Sequence, residues 1–126
     1  MRFPTTEILS ALVILAAAMH GAFAQEIRFL VQRSPLAGFR YYEAPQLVGA
    51  LAPGEVLELV REPDNPYDSN AVRVAWRGRK LGYVPRRENA ALAWAMDRGE
   101  QLDARVVECP RRPRQRRRIE FEILVK

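Results

Sequence analysis

Residues Ala71 to Arg77 alternate Val72, Val74 and Trp76 against Arg73 and Arg77, the period of an extended strand that buries one face. Gly78 then turns the chain into KLGYVP, so Ala71 to Pro85 reads as a β-hairpin. The same period recurs on both sides. Ile27, Phe29 and Val31 alternate with Arg28 and Gln32 until Ser34-Pro35 closes the run. Leu102, Ala104 and Val106 mark a strand within Gln101 to Cys109, and Ile119, Phe121, Ile123 and Val125 mark a last one. Two further segments read as strands on composition. GFRYYE, Gly38 to Glu43, is dense in aromatics, and EVLELVRE, after an Ala52-Pro53-Gly54 turn, has the apolar content of a well-buried strand at Val56, Leu57, Leu59 and Val60.

One helix stands out. After Pro85, RRENAALAWAMDRGE carries Leu92, Ala95 and Met96 at helical spacing, with Gly99 placed as a stop just past Arg98. PDNPYDSN, Pro63 to Asn70, is a loop whose Asp and Asn side chains make local turns and whose proline rings fix φ. PRRPRQRRR, Pro110 to Arg118, puts six arginines in nine residues between the last two strands. About six short strands with one or two short helices define a mainly β fold. A sheet of this size cannot cover its own edges, so a small closed or nearly closed barrel is expected, and a helical bundle or repeat array is excluded.

The N-terminus reads as a targeting segment. Arg2 precedes an apolar run from Ile8 to Met19, and Ala22-Phe23-Ala24 offers the small residues that a signal peptidase reads. Cleavage before Gln25 is expected, giving a signal peptide at 1–24, a single domain at 25–126 and export to the periplasm or the exterior. The apolar run is too short for a hydrocarbon core about 30 Å thick, which needs about 20 residues. An uncleaved membrane anchor, or a cytoplasmic domain behind a misassigned start, is the alternative.

Removing residues 1–24 from the 126 leaves 102 and takes with it His20, the only histidine. With one cysteine, Cys109, and no histidine, those 102 residues have no intramolecular disulfide, no imidazole for zinc and no Ser-His or Cys-His pair. Asp64, Asp68 and Asn70 lack the glycine and terminal glutamate of a calcium loop, and no GxxxxGK[ST] phosphate loop is present. No catalytic residue, metal or cofactor is therefore expected. Twenty Lys plus Arg against fifteen Asp plus Glu gives +5, which favours a polyanionic partner.

GFRYYE, then LVREPDNPYDSNAVRV, then KLGYVPRREN leading into the helix resemble the HIRAN domain, a module found alone in bacteria and fused to helicase-like remodellers in eukaryotes. The resemblance runs from about Phe29 to Val125 and is most specific in Arg61 to Asp68, in Asn70-Ala71-Val72 and in Gly82-Tyr83-Val84-Pro85. It implies a modified OB-like β-barrel and binding of single-stranded DNA at a free 3′ end. On that likeness Arg40 contacts a phosphate, Tyr41 and Tyr67 stack on the last bases, and Asp68 accepts a hydrogen bond from the terminal 3′-hydroxyl. Arg86 and Arg87, at the mouth of the helix, are placed to hold the following phosphates. The family's DNA-end binder stacks an aromatic from the loop before its last strand. This chain has none there, which leaves an electrostatic grip by Arg111, Arg112, Arg114 and Arg116.

Each assignment has a plainer alternative. Tyr42 and Tyr83 fit a strand core, Trp76 and Trp94 fit core and helix packing, and the arginine run fits a solvated loop. Asp68 or Asn70 could cap backbone amides in a loop shaped by turn chemistry alone. The leader points outside the cell while the body points to nucleic acid. The second functional reading is therefore an exported basic module that binds another polyanion or a cell-envelope protein, without end specificity, and in either reading a monomer is expected.

Overall fold

The hairpin forms for a local reason. Arg77 and Gly78 both adopt left-handed φ, +49° and +77°, which makes the two-residue turn whose twist matches that of the flanking strands. In the computed structural model, residues 30–110 and 119–125 are described. The strands are β1 (Leu30–Pro35), β2 (Val56–Arg61), β3 (Val72–Trp76), β4 (Arg79–Tyr83), β5 (Leu102–Glu108) and β6 (Glu120–Val125). They form one antiparallel sheet in the order β1-β6-β5-β2-β3-β4. Two helices, α1 (Ala44–Leu47) and α2 (Ala90–Asp97), and a 3₁₀ turn at Arg86–Glu88 complete the described fold.

The sheet curls into an OB-like barrel without a closed ladder. Its edges, β1 and β4, meet at one isolated bridge just past β1, where Ala37 N–H donates to Tyr83 O at 2.9 Å and Tyr83 N–H donates to Ala37 O at 3.0 Å. Gly82 permits that approach: a Cβ there would lie 2.2 Å from Ala37 O. Phe121, Leu81, Ile119, Ile123, Val72 and Val74 fill the interior. Val72, Val74 and Trp76 of β3, Ala104 and Val106 of β5, and Phe121 and Ile123 of β6 are buried as the period of two selects, and Ala75 and Leu124 are buried besides. α2 stops at Gly99, where Gly99 N–H donates to Met96 O and Glu100 N–H to Ala95 O, each at 3.0 Å.

Several expectations are corrected. Gly38–Glu43 is a turn and not a strand: Tyr41 N–H closes it on Gly38 O, and Glu43 N–H ties its end to Lys80 O of β4 before α1 begins. Its aromatics divide accordingly, with Phe39 buried, Tyr42 half-buried and Tyr41 84% exposed. β2 is one-sided, with Leu57 buried and Val56 exposed, because an antiparallel sheet needs cover on one face only. Val31 is exposed because the register shifts between Leu30 and Gln32, and Val125 is exposed at the last position of β6. Trp94 is also exposed, since α2 turns Leu92, Ala93 and Ala95 inward. Trp76 is buried as expected, its Nε1–H donating to Glu55 Oε2 at 3.3 Å. The expected leader, the start of the first predicted strand and Arg111, Arg112, Arg114 and Arg116 lie outside the described residues. Among the described residues no helix is long and apolar enough to cross a membrane.

Candidate functional site

The PDNPYDSN loop is built by its own side chains. Asn65 Oδ1 accepts from the N–H groups of Tyr67 (2.9 Å) and Asp68 (3.3 Å), and Asp68 Oδ1 accepts from Asn70 N–H at 3.0 Å. These Asx turns push Tyr67 outward until its side chain is almost wholly in solvent, 85% exposed. Asp68 Oδ2 accepts from Asn89 Nδ2 at 2.7 Å. Asn89 is buried at the head of α2, and its side chain serves Asp68 and caps no helix amide. The turn reading of Asp68 is thus correct, and it leaves room for binding. A carboxylate has about four acceptor positions, of which these two bonds fill half.

Tyr67, Asp68 and Arg86 line two adjoining clefts of about 370 and 410 Å³, which also share Asn65 and Pro66. The first is backed by Asn89 and Ala90. The second is backed by Tyr42, Lys80, Tyr83 and Val84. Between these backing groups runs a polar network. Lys80 Nζ sits 4.0 Å from the Tyr42 ring centroid and 4.6 Å from that of Tyr83, and donates to Tyr83 Oη at 2.7 Å. Tyr83 O–H donates in turn to Glu62 Oε1 at 2.9 Å, which also accepts from Asn65 Nδ2 at 3.1 Å. Arg73 Nε lies 3.6 Å from Glu62 Oε2, and the two tyrosine rings meet edge to face at 5.6 Å. Tyr42 and Tyr83 are therefore half-buried cleft groups and not interior core residues.

This network sets the titration of its members. Burial pushes the Glu62 carboxyl up, but the Asn65 and Tyr83 hydrogen bonds and the charges of Lys80 and Arg73 outweigh it and hold the group below its ordinary 4.5. Burial, followed by the bond to Glu62 and its charge, raises the Tyr83 phenol above its ordinary 10.0. Glu62, depressed in the fold, contributes stability that is present above about pH 4.5 and lost as pH falls through the lower folded value. Tyr83, raised in the fold, contributes stability that is present below about pH 10 and lost as pH rises through the higher folded value. Thermal melting across pH should accordingly decline at both ends, and Glu62→Gln should flatten the acid limb; an unchanged acid limb would show that the network carries no such energy. Away from the cleft, burial raises the thiol of Cys109, half-buried beside β5, above its ordinary 9.0.

The sequence model of the HIRAN domain family matches residues 29–126. The chain belongs to the HIRAN domain family. It is 38% identical over 72 residues to the helicase-like transcription factor of Mus musculus and 36% identical over 66 residues to that of Homo sapiens. Those stretches are 56% and 52% of this chain but only 7% and 6% of the relatives' lengths. Its fold is similar to the crystal structure of a protein from Lactobacillus plantarum, at a TM-score of 0.67 and 28% identity over 79% of this chain and 98% of that one. It is also similar to the crystal structure of the HIRAN domain of human helicase-like transcription factor, at a TM-score of 0.61 and 27% identity over 75% of this chain and 73% of that one.

In this HIRAN domain the sequence-selected residues fall into three groups. Tyr67, Asp68 and Arg86 share the clefts. Arg40 and Tyr41 stand exposed on the turn that ends in Tyr42, a lining residue, and Arg87 is exposed beside Arg86 on the 3₁₀ turn. That turn is fastened to β1 by Ser34 O–H, which donates to Glu88 Oε2 at 2.8 Å. Arg111, Arg112, Arg114 and Arg116 are the third group, outside the described residues. Pairing separates the cations further. Arg33, Arg61, Arg73, Arg79, Arg98 and Arg105 each meet a carboxylate. Among the described residues Arg40, Arg86 and Arg87 form no ion pair, nor does Arg77, which stacks on Trp76, while Lys80 acts on Glu62 by its charge and through Tyr83 Oη without a direct ion pair. Residue-by-residue reading missed Glu62, Asn65 and Asn89 as organisers, and Lys80 as the cation of the second cleft. The signal available was the polar density of Glu62 to Asn70 facing an otherwise apolar KLGYV strand.

Proposed function

We propose that this HIRAN domain is a non-catalytic nucleic-acid-binding module that takes single-stranded DNA and prefers a free 3′ end. The observation that carries the reading is the company that Tyr67 and Asp68 keep: an exposed aromatic, a held carboxylate and the unpaired Arg86 line both adjoining clefts, with Arg40 and Tyr41 on the turn that ends in Tyr42. A single-strand binder needs cations along phosphates and flat faces for unstacked bases. In this reading Arg40, Arg86 and Arg87 take phosphates, and Tyr41 and Tyr67 take the last bases. Asp68 accepts the terminal hydroxyl. A carboxylate repels a phosphate, so its presence favours a chain end that carries a hydroxyl over internal strand. Arg111, Arg112, Arg114 and Arg116 add phosphate contacts.

The test is a fluorescence-anisotropy titration with a single strand ending in a 3′-hydroxyl, a blunt duplex and heparin as competitor. The single strand should bind at least about tenfold more tightly than the duplex, as base stacking worth about 1–3 kcal/mol per base requires. Log K should fall with log salt at about −0.7 per phosphate contact, so Arg40, Arg86 and Arg87 alone give a slope near −2 and the arginine run steepens it. Equal binding to heparin and to both oligonucleotides would replace this reading with that of a general polyanion binder.

A further inference from the structure

Glu62 touches neither cleft directly in the sense that Tyr67 and Asp68 do, yet it is the point at which the loop and the sheet are joined. Its Oε1 receives two donors from opposite sides, Tyr83 O–H of β4 at 2.9 Å and Asn65 Nδ2 of the loop at 3.1 Å. The other end of the same Asn65 amide holds the N–H groups of Tyr67 and Asp68. Lys80 closes the chain on the sheet side through Tyr83 Oη and both tyrosine rings. A primary amide whose NH₂ is fixed has its oxygen fixed as well, because the group is planar. The carboxylate at 62 therefore sets which way Asn65 faces, and through it the backbone from which Tyr67 and Asp68 project. Arg73, 3.6 Å from Glu62 Oε2, has a buried Nε without a hydrogen-bond partner, so its charge steadies the carboxylate without supplying a second anchor.

We infer that Glu62 is the positioning residue for end specificity: it couples the Lys80–Tyr83 pair of the sheet to the Asn65 turn and so fixes where Tyr67 and Asp68 meet a chain terminus. This rests on the proposed reading that Asp68 accepts a 3′-hydroxyl. It separates two properties of binding. The unpaired arginines set overall affinity and its salt dependence, while Glu62 sets the ratio between end types. A preorganised acceptor discriminates only while it stays within a few tenths of an ångström of its productive position.

The experiment uses the full chain with Glu62→Ala and Glu62→Gln, checked first by melting. Without ligand, the backbone amide resonances of Tyr67 and Asp68 should move in Glu62→Ala, and the Tyr83 phenol, assigned with Tyr83→Phe, should titrate at lower pH in both variants because a neighbouring negative charge is gone. With oligonucleotides that differ only in a 3′-hydroxyl or 3′-phosphate, the preference for the hydroxyl should fall about tenfold in Glu62→Ala while the salt slope is kept. Glu62→Gln, whose amide oxygen accepts the same two donors, should restore the preference to within about threefold. Unmoved Tyr67 and Asp68 amides in Glu62→Ala overturn the coupling, whatever the oligonucleotides do. Moved amides with an unchanged end preference overturn the role in specificity. If the native chain shows no end preference, the proposed function fails in that respect, and the ligand-free amide comparison still decides whether Glu62 positions the loop.

Discussion

Gly82→Ala is expected to destabilise the fold by about 3 kcal/mol and to lower the thermal midpoint by roughly 15 °C. The added methyl would sit 2.2 Å from Ala37 O and 3.1 Å from two carbons of Leu36. Neither neighbour can retreat cheaply. Ala37 O is the acceptor for Tyr83 N–H in the bridge that joins the two sheet edges, and Leu36 is packed in the core. Overpacking of this kind costs about 1–3 kcal/mol, and each backbone hydrogen bond lost from the bridge adds about 1 kcal/mol. The matched control is Gly49→Ala, where a Cβ meets nothing within 4 Å, and which should melt as the native chain does. Chemical denaturation of the two variants side by side checks the claim. Equal stability would mean that the barrel is not held shut at Ala37 and Tyr83. Both of those residues line the second cleft, so Gly82→Ala should weaken oligonucleotide binding too.

The largest functional effects are expected at Tyr67 and Asp68, and they should differ in kind. Tyr67 is 85% exposed, so Tyr67→Ala should leave stability within about 0.5 kcal/mol of native. Loss of one stacked base at about 1–3 kcal/mol should nonetheless weaken single-strand binding about 5- to 150-fold, for every kind of 3′ end. Asp68 needs a gentler substitution. Alanine would strand Asn89 Nδ2, a buried donor, at a cost of about 1–3 kcal/mol. Asp68→Asn keeps an oxygen for Asn70 N–H, and its amide can pair with that of Asn89 turned over, so the fold is retained. What changes is the charge-assisted bond to the hydroxyl, worth about 1.5–3 kcal/mol, and with it about 10- to 100-fold of affinity for hydroxyl ends. The same change removes the repulsion toward a terminal phosphate. Anisotropy titrations of both variants should therefore show Tyr67→Ala lowering affinity uniformly and Asp68→Asn changing mainly the discrimination. A uniform loss in Asp68→Asn would assign the aspartate to loop shape alone.

Much of the sheet was legible because its signal is local. Val72, Val74 and Trp76, Ala104 and Val106, and Phe121 and Ile123 declare their buried face through a period of two, and Gly99 marks the end of α2 within one turn of its last apolar residue. The Gly38–Glu43 segment misleads because Phe39, Tyr41 and Tyr42 have strand composition while serving a turn that displays one ring and half-buries another. Trp94 misleads in the same way, an aromatic on the outward face of a short helix. The site was legible as a set of residue types but not as an arrangement. Nothing local distinguishes Arg40 and Arg86 from Arg79 and Arg61. Only the fold brings Glu43 to Arg79 and Asp97 to Arg61, leaving the other two without carboxylates among the described residues. The bonds from Glu62 to Tyr83 and from Asp68 to Asn89 each span 21 residues, beyond the reach of any periodicity.

The most direct test of the central claim is the ratio of dissociation constants for two single strands that are identical except for a 3′-hydroxyl or a 3′-phosphate. The account predicts that the native chain binds the hydroxyl end about tenfold or more tightly, and that the ratio falls toward one in Asp68→Asn. A native ratio of one, or a preference for the phosphate, would contradict it.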